Sequence, residues 1–178
     1  PVQYVARPNL NFRGFQGTLA SGKLQVGDAI KVLPSGKTSS IKEIVTFDGN
    51  LDSAQAGQAI TVTLNSEIDI SRGDVIVPAS STAIVTNQLQ AKLVWMHETP
   101  LQLGKSYNFK LGSKNTSAQV TKIDHTIDVN TLEHGSSDTL QLNEIAIVTL
   151  ELSETILADE YHSNHETGSF ILIDRLSN

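Results

Sequence analysis

Alternation of apolar and polar residues dominates the chain wherever a period can be read. In "AITVTL", residues 59–64, Ile60, Val62 and Leu64 share one face and Thr61 and Thr63 the other; in "LQAKLVW", residues 89–95, Leu89, Ala91, Leu93 and Trp95 oppose Gln90, Lys92 and Val94. A period of two puts successive side chains on opposite faces of a pleated backbone, so both segments are predicted as half-buried strands. Between such runs lie the turn signals "ASGK" at 20–23, "VGD" at 26–28, "LPSGK" at 33–37 and "FDGN" at 47–50, spaced as short antiparallel strands require. No segment of ten or more residues repeats its apolar positions at i, i+3, i+4 and i+7. The pattern predicts an all-β protein.

Two segments are apolar on both faces. In "IAIVTLEL" Ile145 and Ile147 point one way and Val148, Leu150 and Leu152 the other; in "FILIDRL" Phe170, Leu172 and Leu176 oppose Ile171 and Ile173. A closed barrel fills its interior with one face of each strand, so a second apolar face is expected to need another cover, such as a neighbouring domain. Composition shifts at "PASSTAIVTNQ", residues 78–88, where Pro78 and a run of small polar residues interrupt the strand pattern. A domain boundary is expected near residue 82, giving domains of 1–82 and 83–178, each the size of a small Greek-key barrel.

"LQLGKSYNFKLGSK", 101–114, carries glycine, lysine and serine in the order that ends a phosphate-binding loop. The loop G-x-x-x-x-G-K-[ST] needs an earlier glycine so that backbone N–H groups can curl around phosphates, and Thr99 stands in its place. Tyr107, Phe109 and Leu111 then alternate with Asn108 and Lys110, which is a strand and not the helix such a loop opens. Gly104 to Ser106 is read as a turn.

Charge and cysteine usage narrow the function. Lys+Arg 13 against Asp+Glu 19 gives a net charge of -6, the wrong sign for a chain that binds nucleic acid by neutralising phosphates. The absence of cysteine excludes disulfides and thiolate metal sites. With no charged-then-apolar leader and no apolar run long enough to cross a membrane, a cytoplasmic protein without membrane contact is expected.

Residues 12–77 hold a fixed order of features: G-T-h-x-S-G at 17–22, V-G-D at 26–28, a P-S-G turn, A-x-A-G at 54–57, and D-I-x-R-G-D-h-h-V at 69–77. Gly22 and Gly36 stand where hairpins need positive φ, and Asp28 and Asp74 follow turn glycines, where a short carboxylate can accept backbone N–H bonds. This order resembles the second domain of translation-type GTPases related to elongation factor Tu. "PVQYVARPNLNFRGFQGTLASG" at 1–22, "HTIDVNTLEH" at 125–134, "LNEIAIVTLEL" at 142–152 and "ETGSFILIDRLSN" at 166–178 are similar to the GTPase subunit of bacterial sulfate adenylyltransferase, or ATP sulfurylase.

The resemblance implies two Greek-key β-barrels like domains 2 and 3 of elongation factor Tu. It also implies an intact enzyme in which a GTP-binding domain precedes the barrels and a smaller catalytic subunit makes adenylyl sulfate from ATP and sulfate, driven by GTP hydrolysis. No phosphate-binding loop, no D-x-x-G and no N-K-x-D occurs here. The chain is therefore expected to be a fragment with no catalytic, cofactor-binding or metal residue of its own; GTP and Mg belong to the missing domain, and a fused adenylyl-sulfate kinase beyond Asn178 occurs in some relatives. A translation factor whose barrels hold aminoacyl-tRNA is the alternative; a basic, aromatic-lined groove on the first barrel would favour it.

Arg7, Phe12, Arg13 and Phe15 are the candidates for partner contact, because two arginines and two aromatics lie within nine residues of a chain that is 5% aromatic. Phe12 and Phe15 equally suit the barrel core. His125, His134, His162 and His165 lie near Asp124, Asp128, Glu133 and Glu166, but His162 and His165 share a side only in a helix, which "HSNHETG" shows no pattern for, so polar loops are expected. Leu132 of "DVNTLEH" is expected to plug into the barrel, with Asp128 or Asn130 bonding nearby backbone. Arg72-Gly73-Asp74 and Asn115-Thr116-Ser117 are read as turns.

Overall fold

The computed structural model describes residues 1–9 and 12–176, so the last two residues of the "FILIDRLSN" motif lie outside the described residues. The described residues form fifteen strands and one helical turn, and the chain divides into two compact units: Pro1–Val85 with Lys110–Asn115 and Ile156–Phe170, and Thr86–Phe109 with Thr116–Thr155 and Ile171–Asn178.

The first unit holds β1 (Tyr4–Asn9), β2 (Phe12–Thr18), β3 (Lys23–Gln25), β4 (Ala29–Leu33), β5 (Thr38–Thr46), β6 (Gly49–Leu51), β7 (Ser53–Gln55), β8 (Ala59–Leu64) and β9 (Val75–Pro78). Its main sheet runs β1-β2-β8-β5-β4-β9, with β6 on β5 and a separate β3-β7 ribbon. The Val2 N–H donates to the Asp74 carbonyl (2.8 Å) and the Gly73 N–H to the Val2 carbonyl (2.9 Å), tying the chain before β1 to the chain before β9 and closing the sheet on itself. Inside lie Val2, Phe15, Ile30, Val32, Ile41, Ile44, Ile60 and Val62.

Turns into strands are built alike. Gln25–Asp28, Gln55–Gln58, Ser71–Asp74, Gln102–Lys105 and Gln141–Glu144 each close an i to i+3 backbone bond, and the third residue of each (Gly27, Gly57, Gly73, Gly104, Asn143) has positive φ, the type II signature. In the turns ending at Asp28 and Asp74 the carboxylate also accepts the first residue's N–H, both at 2.8 Å. Arg72-Gly73-Asp74 and Gly104-Lys105 are thus structural turns, as read from the sequence.

A six-stranded sheet, whose residues fall mostly in the second unit, holds β10 (Val85–Val94), β11 (Ser106–Leu111), β12 (Lys114–Ile127), β13 (His134–Gly135), β14 (Ile145–Leu157) and β15 (Ile171–Ile173), in the order β10-β14-β12-β11-β15 with β13 on β12. The alternation holds here: Tyr107, Phe109, Leu111, Val120, Val148 and Leu150 are buried while Asn108, Lys110 and Glu151 are exposed. Trp95 is buried edge-on to Tyr107, ring centroids 5.6 Å apart, and donates its indole N–H to the Thr99 carbonyl at 2.9 Å.

Four expectations are corrected. Asn115-Thr116-Ser117 is not a turn but part of β12, the turn falling before it at Gly112, which has positive φ. Leu132 does not plug the barrel: it is 73% exposed at φ +60°, because Asp128 accepts the N–H groups of Asn130 and Thr131 and coils the loop outward. "HSNHETG" contains a helical turn, α1 (His165–Gly168), capped by the Asn164 side chain, which accepts from Glu166 and Thr167 N–H; one turn burying only Thr167 is too short to leave a period. The two-sided apolar reading of "FILIDRL" fails, since the strand covers only Ile171–Ile173 and Leu176 is 92% exposed. Asp174 ends that strand by bonding Lys105 and accepting the Leu176 N–H. In β14, Ala146, Val148, Leu150 and Leu152 are buried, whereas Ile145 and Ile147 on the other face are half-buried.

Candidate functional site

At one end of the first barrel two irregularities converge. On β1 and β2 the register passes from Ala6 opposite Gly14 to Asn9 opposite Phe12, so three steps on β1 face two on β2. Arg7 and Pro8 fall in that bulge, and Pro8 has no N–H to give a ladder. On β5 and β8 it passes from Ile41 opposite Leu64 to Glu43 opposite Thr63, leaving Lys42 as the extra residue. A bulge redirects its side chain, and both of these deliver a cation to the same place.

That place is a cavity of about 220 Å³, whose lining includes Arg7, Phe12, Arg13 and Phe15 together with Lys42, Glu43, Thr63 and Glu67. The structure therefore brings all four sequence-predicted residues into one site. They differ in burial: Phe15 is 4% exposed and belongs to the barrel core, Phe12 and Arg13 are half-buried, and Arg7 is exposed. The Arg13 guanidinium carbon stands 5.6 Å from the centroid of the Phe15 ring, within cation–π reach. Its ion pair with Asp69 is loose, at 3.7 Å, with an Asp69 side chain that is 87% exposed and shared with Lys37 at 3.6 Å. Among the described residues neither Arg7 nor Lys42 forms an ion pair.

Gly14 fixes the aromatic wall. A Cβ built there would lie 2.5 Å from Thr61 Cγ2 and 2.7 Å from Phe12 Cε1, closer than real contacts, so the Phe12 ring rests on bare backbone. Opposite, the buried Thr63 hydroxyl donates to Glu43 at 3.4 Å. Sequence reasoning missed Lys42, Glu43 and Thr63; Ile41 and Ile44 are apolar at a spacing of three, which places both on one face only if a bulge such as that at Lys42 intervenes.

The remaining candidates lie elsewhere. His125 and His134 stack, centroids 4.1 Å apart, where β13 pairs β12. Tyr161 stacks on His165 at 4.3 Å and meets His162 edge-on at 6.2 Å. Among the described residues no three His, Asp or Glu side chains converge to hold a metal ion. Asp124 is held below the usual carboxylate range by hydrogen bonds from Lys122, Thr149 and Gln90, and Asp128 by the N–H groups of Thr131 and Asn130. No helix among the described residues is long and apolar enough to cross a membrane. A second cavity of about 310 Å³ in the first unit is largely apolar, walled by Val2, Leu19, Ile60, Val75 and Leu157, with Asp159 and Asn164 at its edge.

Residues 88–178 match the family described as GTP-eEF1A C-terminal domain-like. The chain belongs to that family. Residues 16–77, which include most of the cavity wall, match elongation factor Tu domain 2. Sulfate adenylyltransferase subunit 1 of Saccharophagus degradans is 57% identical over the whole chain, and that of Shewanella oneidensis 56% identical. The chain spans about 38% of the length of these relatives. Two solved structures, sup35 complexed with GDP and sup35 complexed with GMPPNP, share the fold, with TM-scores of 0.90 and 0.82 at 15% and 16% identity. They cover 99% and 92% of this chain, and the matches take in 44% and 41% of theirs. The family member described here is thus an all-β chain of elongation factor Tu-like domains 2 and 3.

Proposed function

We propose that this chain is the non-catalytic part of the GTPase subunit of a sulfate adenylyltransferase, with domains at 1–82 and 83–178. In that reading it couples GTP hydrolysis to the synthesis of adenylyl sulfate from ATP and sulfate, in the cytoplasm. The observation that carries it is identity of 52–57% across all 178 residues with proteins named sulfate adenylyltransferase subunit 1. GTP and Mg are handled by a separate GTP-binding domain, and the chain contacts both that domain and a smaller catalytic subunit.

A switch acts on a module only by binding it differently in its two states, so the barrels need contact surfaces and no chemistry. The rim cavity with Arg7, Phe12, Arg13 and Phe15 supports such a surface, because Arg and aromatic side chains concentrate binding energy at protein interfaces. The test is a chimera in which this chain replaces the matching segment of the Saccharophagus degradans relative. Co-expressed with that organism's partner subunit, the chimera is expected to assemble and to form adenylyl sulfate in a GTP-dependent manner. A folded chimera that neither assembles nor responds to GTP refutes the reading.

A further inference from the structure

We propose that the rim cavity of the first barrel is a receptor for a single carboxylate side chain, Asp or Glu, carried on a loop of the partner subunit. This rests on the reading of the chain as one subunit of a heteromeric enzyme and names what that partner inserts.

Charge comes first. Arg7, Arg13 and Lys42 face the cavity with Glu43 and Glu67, three cations against two carboxylates, in a chain whose net charge is -6. The surplus is one positive charge, which one carboxylate neutralises. A phosphodiester chain would bring further negative charge against Glu43, Glu67 and the acidic remainder, so the balance disfavours nucleic acid as occupant.

The cations are also available. Arg7 and Lys42 form no ion pair among the described residues, and Arg13 holds only the loose contact with the exposed Asp69. Arg13 can exchange that partner at little loss, since an exposed pair at such distance is weak. The guanidinium fork suits bidentate binding of a carboxylate. Both cations beyond Arg13 reach the cavity through bulges, one in β1 and one in β5, which re-aim their side chains from the regular alternation.

Size and lining select a side chain over a free small molecule. About 220 Å³ falls below the roughly 300–1,000 Å³ of small-molecule sites. Phe12, seated on Gly14, and Phe15 supply apolar faces for the methylene stem that carries the carboxylate. The buried Thr63 hydroxyl, already donating to Glu43, keeps that carboxylate turned to the wall.

The experiment uses the intact subunit assembled with its partner subunit. A zero-length carbodiimide joins an amine to a carboxylate only where the two touch, so peptide mass spectrometry should find Lys42 linked to one Asp or Glu of the partner. Arg7→Glu with Lys42→Glu should weaken association by about tenfold or more, as like charges face each other. Exchanging the linked partner acid for Lys should restore affinity to the doubly reversed subunit. Both reversals sit on exposed residues, and an unchanged thermal melt checks the fold. If the complex forms and affinity is unchanged in the double reversal, the inference is overturned and the subunit reading stands. If the wild-type subunit forms no complex, the subunit reading falls and takes this inference with it.

Discussion

Replacing Gly14 by Ala tests the packing that holds the site. The added methyl would meet Thr61 Cγ2 at 2.5 Å and Phe12 Cε1 at 2.7 Å, and since ordinary carbon contacts begin at about 3.5 Å both side chains must move by up to about an ångström. Overpacking of this kind costs about 1–3 kcal/mol. Against it stands the lower entropy of the unfolded chain, which returns about 0.4–1 kcal/mol for Gly to Ala. The net expectation is a loss of roughly 1–2 kcal/mol. In a Phe12→Ala background one of the two clashes disappears, so the same substitution should cost less, with a coupling of at least about 0.5 kcal/mol. Hydrogen exchange of the paired Phe15 and Val62 amides during a urea titration reads the first unit. Trp95, the one tryptophan, lies in the second unit, so its fluorescence does not read the first unit directly. An unchanged exchange midpoint for Gly14→Ala, or equal costs in both backgrounds, would refute the account of Gly14 as the seat of Phe12.

Three further expectations follow from the second unit. Asp124 and Asp128 are held below their ordinary value of 3.8 by hydrogen bonds to the ionised form. A depressed folded pKa gives stability that is present above 3.8 and lost as pH falls through the folded value, so the Asn130 and Thr131 amides should exchange faster on acidification in that window; exchange that ignores pH there, after correction for intrinsic rates, would contradict it. Leu132→Gly relieves a left-handed backbone at an exposed residue and should leave stability unchanged or raise it by up to about 1 kcal/mol in a thermal melt; a clear loss would show that the Leu132 side chain is held after all. Phe109→Ala empties a fully buried site and should cost about 3–5 kcal/mol, read by Trp95 fluorescence; a cost below about 1 kcal/mol would mean that the second unit's core is not where the burial places it.

The sequence by itself determined the strand content, the buried face of each regular strand and the chemistry of the turns. These are local matters: a period of two declares which residues face inward, and a glycine or aspartate at a fixed offset declares the turn it permits, as Gly22, Gly36, Asp28 and Asp74 all do. It also brought Arg7, Phe12, Arg13 and Phe15 forward by their crowding in one short stretch. What it did not reveal was set by partners distant in sequence. The cavity exists because β5 and β8 slip by one residue at Lys42, and register is a property of two strands. Leu132 has the hydrophobicity of a core residue, but Asp128 and the pairing of His134 with Ile127 decide that it faces water. The "FILIDRL" pattern promised a full strand, yet the bond of Asp174 to Lys105, 69 residues away, ends it after Ile173. Apolar pattern states what a segment would bury, and only the folded neighbours decide whether a surface is there to bury it against.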